Sequence, residues 1–207
     1  QKIGASRTPA TTALIARECA RSGATSVTML GTGLQSTNTL AYLLTVLPNL
    51  QHLRLHGTHP EGVKDTLDVL QRWFPDRSVE LIGTAKSLNN TSSDSISHAV
   101  TSAREIIAAD TDAVRDAVST SDITVVASGR AWHPKIHTSW IPEGGLLISV
   151  ASKGVADGAV AEADRVIATS KGQFDLVGQR LLQGRNVQLD ATLPDILASQ
   201  VPGRISD

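Results

Sequence analysis

The chain has one cysteine, Cys19, and only three Trp, two Phe and one Tyr among 207 residues. A single thiol cannot close an internal disulfide and leaves no Cys-x-x-Cys pair for zinc, a usage compatible with a reducing compartment. So few rings provide no stacking platform for bases. Lys+Arg 19 against Asp+Glu 20, a net charge of −1, also lacks the basic excess that binds phosphate backbones. A nucleic-acid partner is therefore not expected. Runs of about 18 apolar residues, the length of a membrane span, are missing. The start, Gln1-Lys2-Ile3-Gly4, lacks the apolar stretch of a signal peptide. The expectation is a soluble, cytoplasmic chain with no membrane partner. A first residue other than Met is expected of a processed chain or an excerpt.

What is present suffices for one ordinary core: 41% hydrophobic and 19% charged residues predict a single domain over 1–207. Ala10, Ala13, Leu14, Ala16 and Ala20 recur at helical spacing, which predicts a helix over 9–20 with Ser6 or Thr8 as cap and Pro9 near its first position. Ser26 to Leu30 reads as a strand, Ser36 to Leu47 as a helix, Leu53 to His56 as a strand and Pro60 to Phe74 as a helix. Val79 to Ile82 reads as a third strand, followed by a polar loop over 85–94. Helices over 96–109 and 111–119 lead to a strand at Ile123 to Ala127. Leu146 to Val150 and Arg165 to Ala168 repeat the strand pattern. Strands alternating with crossover helices predict an α/β fold, a doubly wound, mostly parallel Rossmann-type sheet with helices on both faces.

Between the first strand and its helix lies Gly31-Thr32-Gly33-Leu34-Gln35-Ser36, a G-x-G-x-x-S turn where the dinucleotide fingerprint belongs. The first glycine permits the sharp turn, the second a close approach of a pyrophosphate, and the helix end offers free N–H groups and its positive dipole. A tight turn without ligand is the alternative. An acid at the end of the second strand would bind the ribose 2′-OH, yet the stretch there is Leu55-His56-Gly57-Thr58-His59-Pro60. This leans from NAD toward NADP, with Thr58, His59 and Lys64 as phosphate partners or as solvated loop polars. The same missing acid weighs against a methyltransferase. A short-chain dehydrogenase needs Tyr-x-x-x-Lys, but Tyr42 is followed four residues later by Val46, which excludes that class.

Ser6-Arg7-Thr8 through Ala16, the turn Gly31 to Gln35, the run Ser121 to Ala127, Ala163-Asp164-Arg165-Val166 and the tail Pro202 to Asp207 together resemble the ornithine cyclodeaminase/μ-crystallin family. The resemblance covers nearly the whole chain, as that family's nucleotide-binding half. It implies an NAD or NADP site in an oxidoreductase that moves hydride to or from the α-carbon of an amino or imino acid. By it, Arg7, assisted by Thr8, meets the substrate carboxylate and cofactor phosphates, a task suited to a guanidinium fork; an exposed arginine in a helix-cap region is the alternative. Gly31, Thr32, Gly33, Leu34 and Gln35 hold the cofactor phosphates, Thr58 and His59 the adenosine ribose, and Ser128, Gly129 and Val150 border the nicotinamide side.

Where cyclodeaminases carry an aspartate after the fifth strand, Ser152 or Lys153 stands here, which puts cyclodeamination in doubt. A serine there is similar to the ketimine reductases, and Leu147 to Val150 is similar to the 2,3-diaminopropionate-forming branch; the two remain alternatives. The resemblance also implies an insertion over 85–109, and a substrate and dimerisation domain outside this chain. By itself the chain would then be inactive, and the whole protein a homodimer. A non-catalytic dinucleotide-binding module with a structural or regulatory role is the alternative.

Trp132-His133-Pro134-Lys135-Ile136-His137 sets two histidines four apart, but Pro134 interrupts the helix that would align them and no third ligand is near, so no metal is expected. A closing loop with Trp132 and Trp140 as packing anchors fits better. Asn89-Asn90-Thr91-Ser92 holds overlapping glycosylation sequons, read as chance. Cys19 is expected to be a buried small hydrophobe.

Overall fold

A computed structural model describes residues 2–89, 103–129, 133–150, 152–178 and 187–206. In chain order, α1 (Lys2–Cys19) precedes β1 (Ser26–Leu30), α2 (Leu34–Val46), β2 (His52–His56), α3 (Pro60–Trp73) and β3 (Val79–Leu81). Then come α4 (Thr84–Asn89), α5 (Ala103–Ser119), β4 (Ile123–Val126) and β5 (Leu146–Ser149). The five strands are parallel, in the order β3-β2-β1-β4-β5. Because the order reverses between β1 and β4, the loops leaving these two strands diverge and open a crevice at their carboxyl ends.

Alternation along the strands sends side chains to two separate cores. Val27, Met29, Leu53, Leu55 and Val125 pack under α1, α2 and α3 through Ala13, Ala16, Leu40, Leu43 and Leu70. Leu30 and Val126 face the other way, against Val114 and Val118 of α5 with Ile136 and Val155. Each fully buried Leu or Val is worth about 1.5–3 kcal/mol relative to exposure, so both faces must be covered. The doubly wound sheet expected from the sequence is thus observed. At the amino edge Asp122 ties the halves together, accepting from the backbone of Thr25 (2.8 Å) and Ser26 (2.9 Å) and pairing with Arg21. Burial pushes this carboxyl up, but those bonds and the Arg21 charge outweigh burial and hold it below the usual range.

Three expectations require correction. First, α1 begins at Lys2, not at Pro9, so Pro9 lies inside it and Ser6 and Thr8 are helical rather than caps. Pro9 has no N–H for the carbonyl of Ala5. Asn38 Nδ2 on α2 donates to that oxygen instead (3.1 Å), and Gln35 Nε2 donates to the Gly4 carbonyl (3.2 Å). A tertiary bond thus replaces the missing helical one. Asn38→Ala is expected to cost about 1 kcal/mol and to speed amide exchange in the first two turns of α1 relative to its last two; unchanged exchange would contradict this account.

Second, α4 occupies the start of the stretch expected as a loop over 85–94, and one continuous α5 replaces the end of the expected 96–109 helix and the separate 111–119 helix. Asp110, Val114, Ala117 and Val118 form its buried stripe. The polar Asp110 interrupts the apolar period in the sequence although it belongs to the buried face. Residues 90–102 lie outside the described residues, and with them most of the expected insertion and of the sequons. Third, Arg165 to Ala168 adds no sixth strand to the main sheet. After α6 (Ala159–Glu162), β6 (Ile167–Ala168) pairs with β7 (Ala191–Thr192) in a separate two-stranded sheet, and α7 (Leu193–Leu197) follows. Cys19 is buried against Ala191 and Ile196, as expected of a small hydrophobe. No described helix is long and apolar enough to cross a membrane.

Candidate functional site

The glycine turn lies where the strand order reverses. Gly31 has φ 122° and its N–H donates to the His56 carbonyl (2.9 Å). A methyl group on it would lie 2.9 Å from the Ser128 nitrogen and 3.0 Å from the Ala127 carbonyl carbon. The first glycine is therefore required by the protein itself, through both backbone conformation and the approach of β4. Ser36, fully buried, takes the place of a third glycine and donates from Oγ to the Ala127 carbonyl (3.4 Å).

Gly33 is different. Its φ of −79° and ψ of 172° are ordinary extended backbone, and a methyl group there would meet nothing within 4 Å. Among the described residues nothing demands glycine at this position. As the residue before α2 it has no side-chain cap, so the first N–H groups of the helix lack intrahelical partners beside an open space. Leu34, next in line, is 65% exposed. Thr32 points down and is nearly buried, packed on Gly57 and Gly62; a methyl group on Gly62 would lie 2.5 Å from the Thr32 carbonyl oxygen. The β2–α3 loop and the first turn of α3 thus rest directly on the turn, through Gly57 and Gly62, glycines whose purpose only this packing reveals.

At the end of β2, Thr58 is half-buried and His59 is the exposed residue preceding α3. Lys64 is exposed and lies 4.0 Å from Asp68. Ser128 is half-buried and Gly129 exposed after β4. Val150, half-buried after β5, donates its N–H to the Val126 carbonyl (2.9 Å). Ser152 and Lys153 lie in a 3-10 turn; Lys153 is exposed, and the Ser152 side chain is outside the described residues. The next carboxylate along, Asp157, is engaged by Lys135 (3.2 Å). Arg7 is exposed and Thr8 half-buried on α1, whose first turn Gln35 joins to the opening of α2.

Sequence reasoning missed a buried polar cluster beneath this edge. His56 is 1% exposed, and its Nε2 meets Asp110 Oδ2 at 2.7 Å. Thr84 donates to the same oxygen (2.6 Å), and Gly83, at φ 55°, has no room for a side chain against this carboxylate. Burial pushes Asp110 up, but the His56 and Thr84 hydrogen bonds and the His56 charge outweigh it and hold the carboxyl below its usual range. His133 is also buried, its Nδ1 donating to the Pro134 carbonyl (2.6 Å), while Nε2 has no hydrogen-bond partner among the described residues. Burial, with the nearby His56, lowers it to about 4. His137 instead lies against Trp140, ring centres 5.3 Å apart, so the two histidines of the H-x-x-x-H spacing part company. Among the described residues no three His, Cys, Asp or Glu are grouped to hold a metal. Trp140 packs beside the α5 core, whereas Trp132 lies outside the described residues.

No family model and no curated protein sequence matches the chain. Solved structures do. The Δ1-pyrroline-2-carboxylate reductase of Thermococcus litoralis, solved with NADH and L-proline, superposes over 100% of this chain and 57% of its own, with TM-score 0.68 and 19% identity. A probable ornithine cyclodeaminase of Bordetella pertussis Tohama I matches over 100% and 58%, with TM-score 0.71 and 18% identity. The iminosuccinate reductase of Paracoccus denitrificans, solved with NAD+, matches over 98% and 55%, with TM-score 0.69 and 17% identity. The chain therefore spans a little over half the length of these proteins, and at such identity the likeness is one of fold.

Proposed function

We propose that this chain is the NAD(P)-binding half of an oxidoreductase similar to the ornithine cyclodeaminases and μ-crystallin, and that the whole protein transfers hydride to or from the α-carbon of an amino or imino acid. Gly33 carries the reading: a glycine that the fold does not need, beside open space at a helix N-terminus, is explained by a pyrophosphate passing against it. The solved structures with NADH or NAD+ support it through a shared fold. Gly31 to Gln35 would hold the phosphates and Thr58 and His59 the adenosine ribose, while Ser128, Gly129 and Val150 border the nicotinamide. Arg7, aided by Thr8, would hold the substrate carboxylate, and Ser152 or Lys153 would stand nearest the reacting carbon. When bound, the cofactor supplies the hydride chemistry; the chain's residues orient it and set its surroundings. The remaining substrate contacts and a homodimer interface are assigned to residues outside this chain, in a soluble, cytoplasmic protein.

Calorimetric titration of the 207-residue chain with NADH, NADPH and S-adenosylmethionine tests the reading. Saturable binding of a nicotinamide form is expected. NADPH should bind more tightly than NADH because Thr58 and His59, rather than a carboxylate, stand after β2 to receive a 2′-phosphate. Binding of S-adenosylmethionine alone, or of none of the three, would overturn it. The end of β5 favours a second reading, a dinucleotide-binding module without turnover: Ser149 and Val150 lead to Lys153, and Asp157 is already paired. Hydride transfer by the complete gene product across a panel of amino and imino acids separates the two, and its absence would leave the second.

A further inference from the structure

The buried histidines join parts of the molecule that the crevice separates. A sheet of order β3-β2-β1-β4-β5 has two halves, each of which accommodates one mononucleotide of a dinucleotide. His56 belongs to the first half: its carbonyl holds Gly31, and its ring is fixed by Asp110, on which Thr84 from the loop after β3 also converges. His133 belongs to the second. It follows β4, and a methyl group on Gly154, in the loop after β5, would lie 2.7 Å from its Nε2. The two rings meet edge to face, centres 6.1 Å apart and planes at 77°. Beside them the second-half loops are locked to each other, Ile136 N–H donating to the Gly154 carbonyl and Ala156 N–H to the Ile136 carbonyl, both at 2.9 Å. The end of β2 and the loops after β3, β4 and β5 thus converge on one buried polar cluster, in which His133 carries the contact from the second half to His56.

We propose that His133 is a positioning residue that sets the β4 and β5 loops against the first half and thereby places the nicotinamide mononucleotide, without touching it. Its position against His56 explains a buried ring whose Nε2 has no hydrogen-bond partner among the described residues: the ring is kept for shape and for the Pro134 bond. The proposal rests on the dinucleotide reading above. Loss of the ring contact should therefore affect only what lies on the second half.

The test compares two ligands on the full chain. NADH spans both halves, whereas ADP carries the same adenosine and pyrophosphate but neither the second ribose nor the nicotinamide. For His133→Asn, NADH affinity should fall about tenfold while ADP affinity stays within about twofold. Hydrogen exchange should accelerate over residues 134–138 and 154–156 but not in β2 or the glycine turn. Gly154→Ala, which crowds the same ring and Val126, should give the same split, and it serves as the test if the asparagine variant does not fold. Equal weakening of both ligands, or of neither, overturns the proposal as a general structural effect or none. A wild-type chain that binds neither ligand overturns the dinucleotide reading itself, a different and separately visible result that removes the proposal with it.

Discussion

Gly33→Val is expected to weaken nicotinamide dinucleotide binding about a hundredfold, or about 2.7 kcal/mol, while changing folding stability by less than about 1 kcal/mol. The separation of the two effects follows from the backbone. At φ −79° and ψ 172° an added Cβ has no described atom within 4 Å, and a branched side chain takes an extended backbone conformation that suits it. Loss of glycine's freedom in the unfolded chain stabilises, whereas a poorer residue before the helix destabilises, and the two terms nearly offset. The bulk then projects into the space assigned to the pyrophosphate. Gly31→Ala makes the contrast: it forces a side chain into φ 122° and to within 2.9 Å of the Ser128 nitrogen, so it should lose stability as well as binding. Calorimetry and urea unfolding on the same preparations measure both quantities. Wild-type affinity in Gly33→Val would remove the main support for a dinucleotide at this turn.

Asp110→Ala should be the most destabilising single change considered, by about 3 kcal/mol, because it leaves the buried His56 without its partner. The Thr84 hydroxyl loses its acceptor as well. The cluster also dictates how stability responds to acid. His133 titrates near 4 in the folded protein instead of its ordinary 6.5, so the unfolded chain takes up that proton first. Its contribution is complete above pH 6.5 and is lost as pH falls from 6.5 toward about 4. Asp110 is held below its ordinary 3.8, so its contribution is complete above that value and is lost as pH falls further, through its folded pKa. Both groups therefore destabilise the fold in acid, His133 first. Urea unfolding across a pH series should show His133→Asn with a flatter profile between pH 6.5 and 4 than the wild type. Asp110→Ala should be weaker already at pH 7. A cost below about 1 kcal/mol for Asp110→Ala would mean that the His56 pair is not what holds the α5 face to β2.

Local pattern determined much of this molecule. The strands at the centre of the sheet, the helices that follow β1 and β2, and the glycine turn between β1 and α2 depend on period, burial and backbone freedom within a few residues, and all are legible in the chain as written. Gly31 could be named from the turn alone, since its positive φ is a local requirement. Tertiary structure decided what depends on distant partners. Pro9 continues a helix only because Asn38 supplies the bond it cannot make. Gly57 and Gly62 are glycines because Thr32 lies on them. β6 leaves the main sheet for β7, a pairing that no local period encodes. Asp110 reads as an interruption of a helical stripe, and His56 as a polar end to a strand. Only folding brings these residues, 54 apart in the chain, to 2.7 Å, where burial makes each a condition of the other.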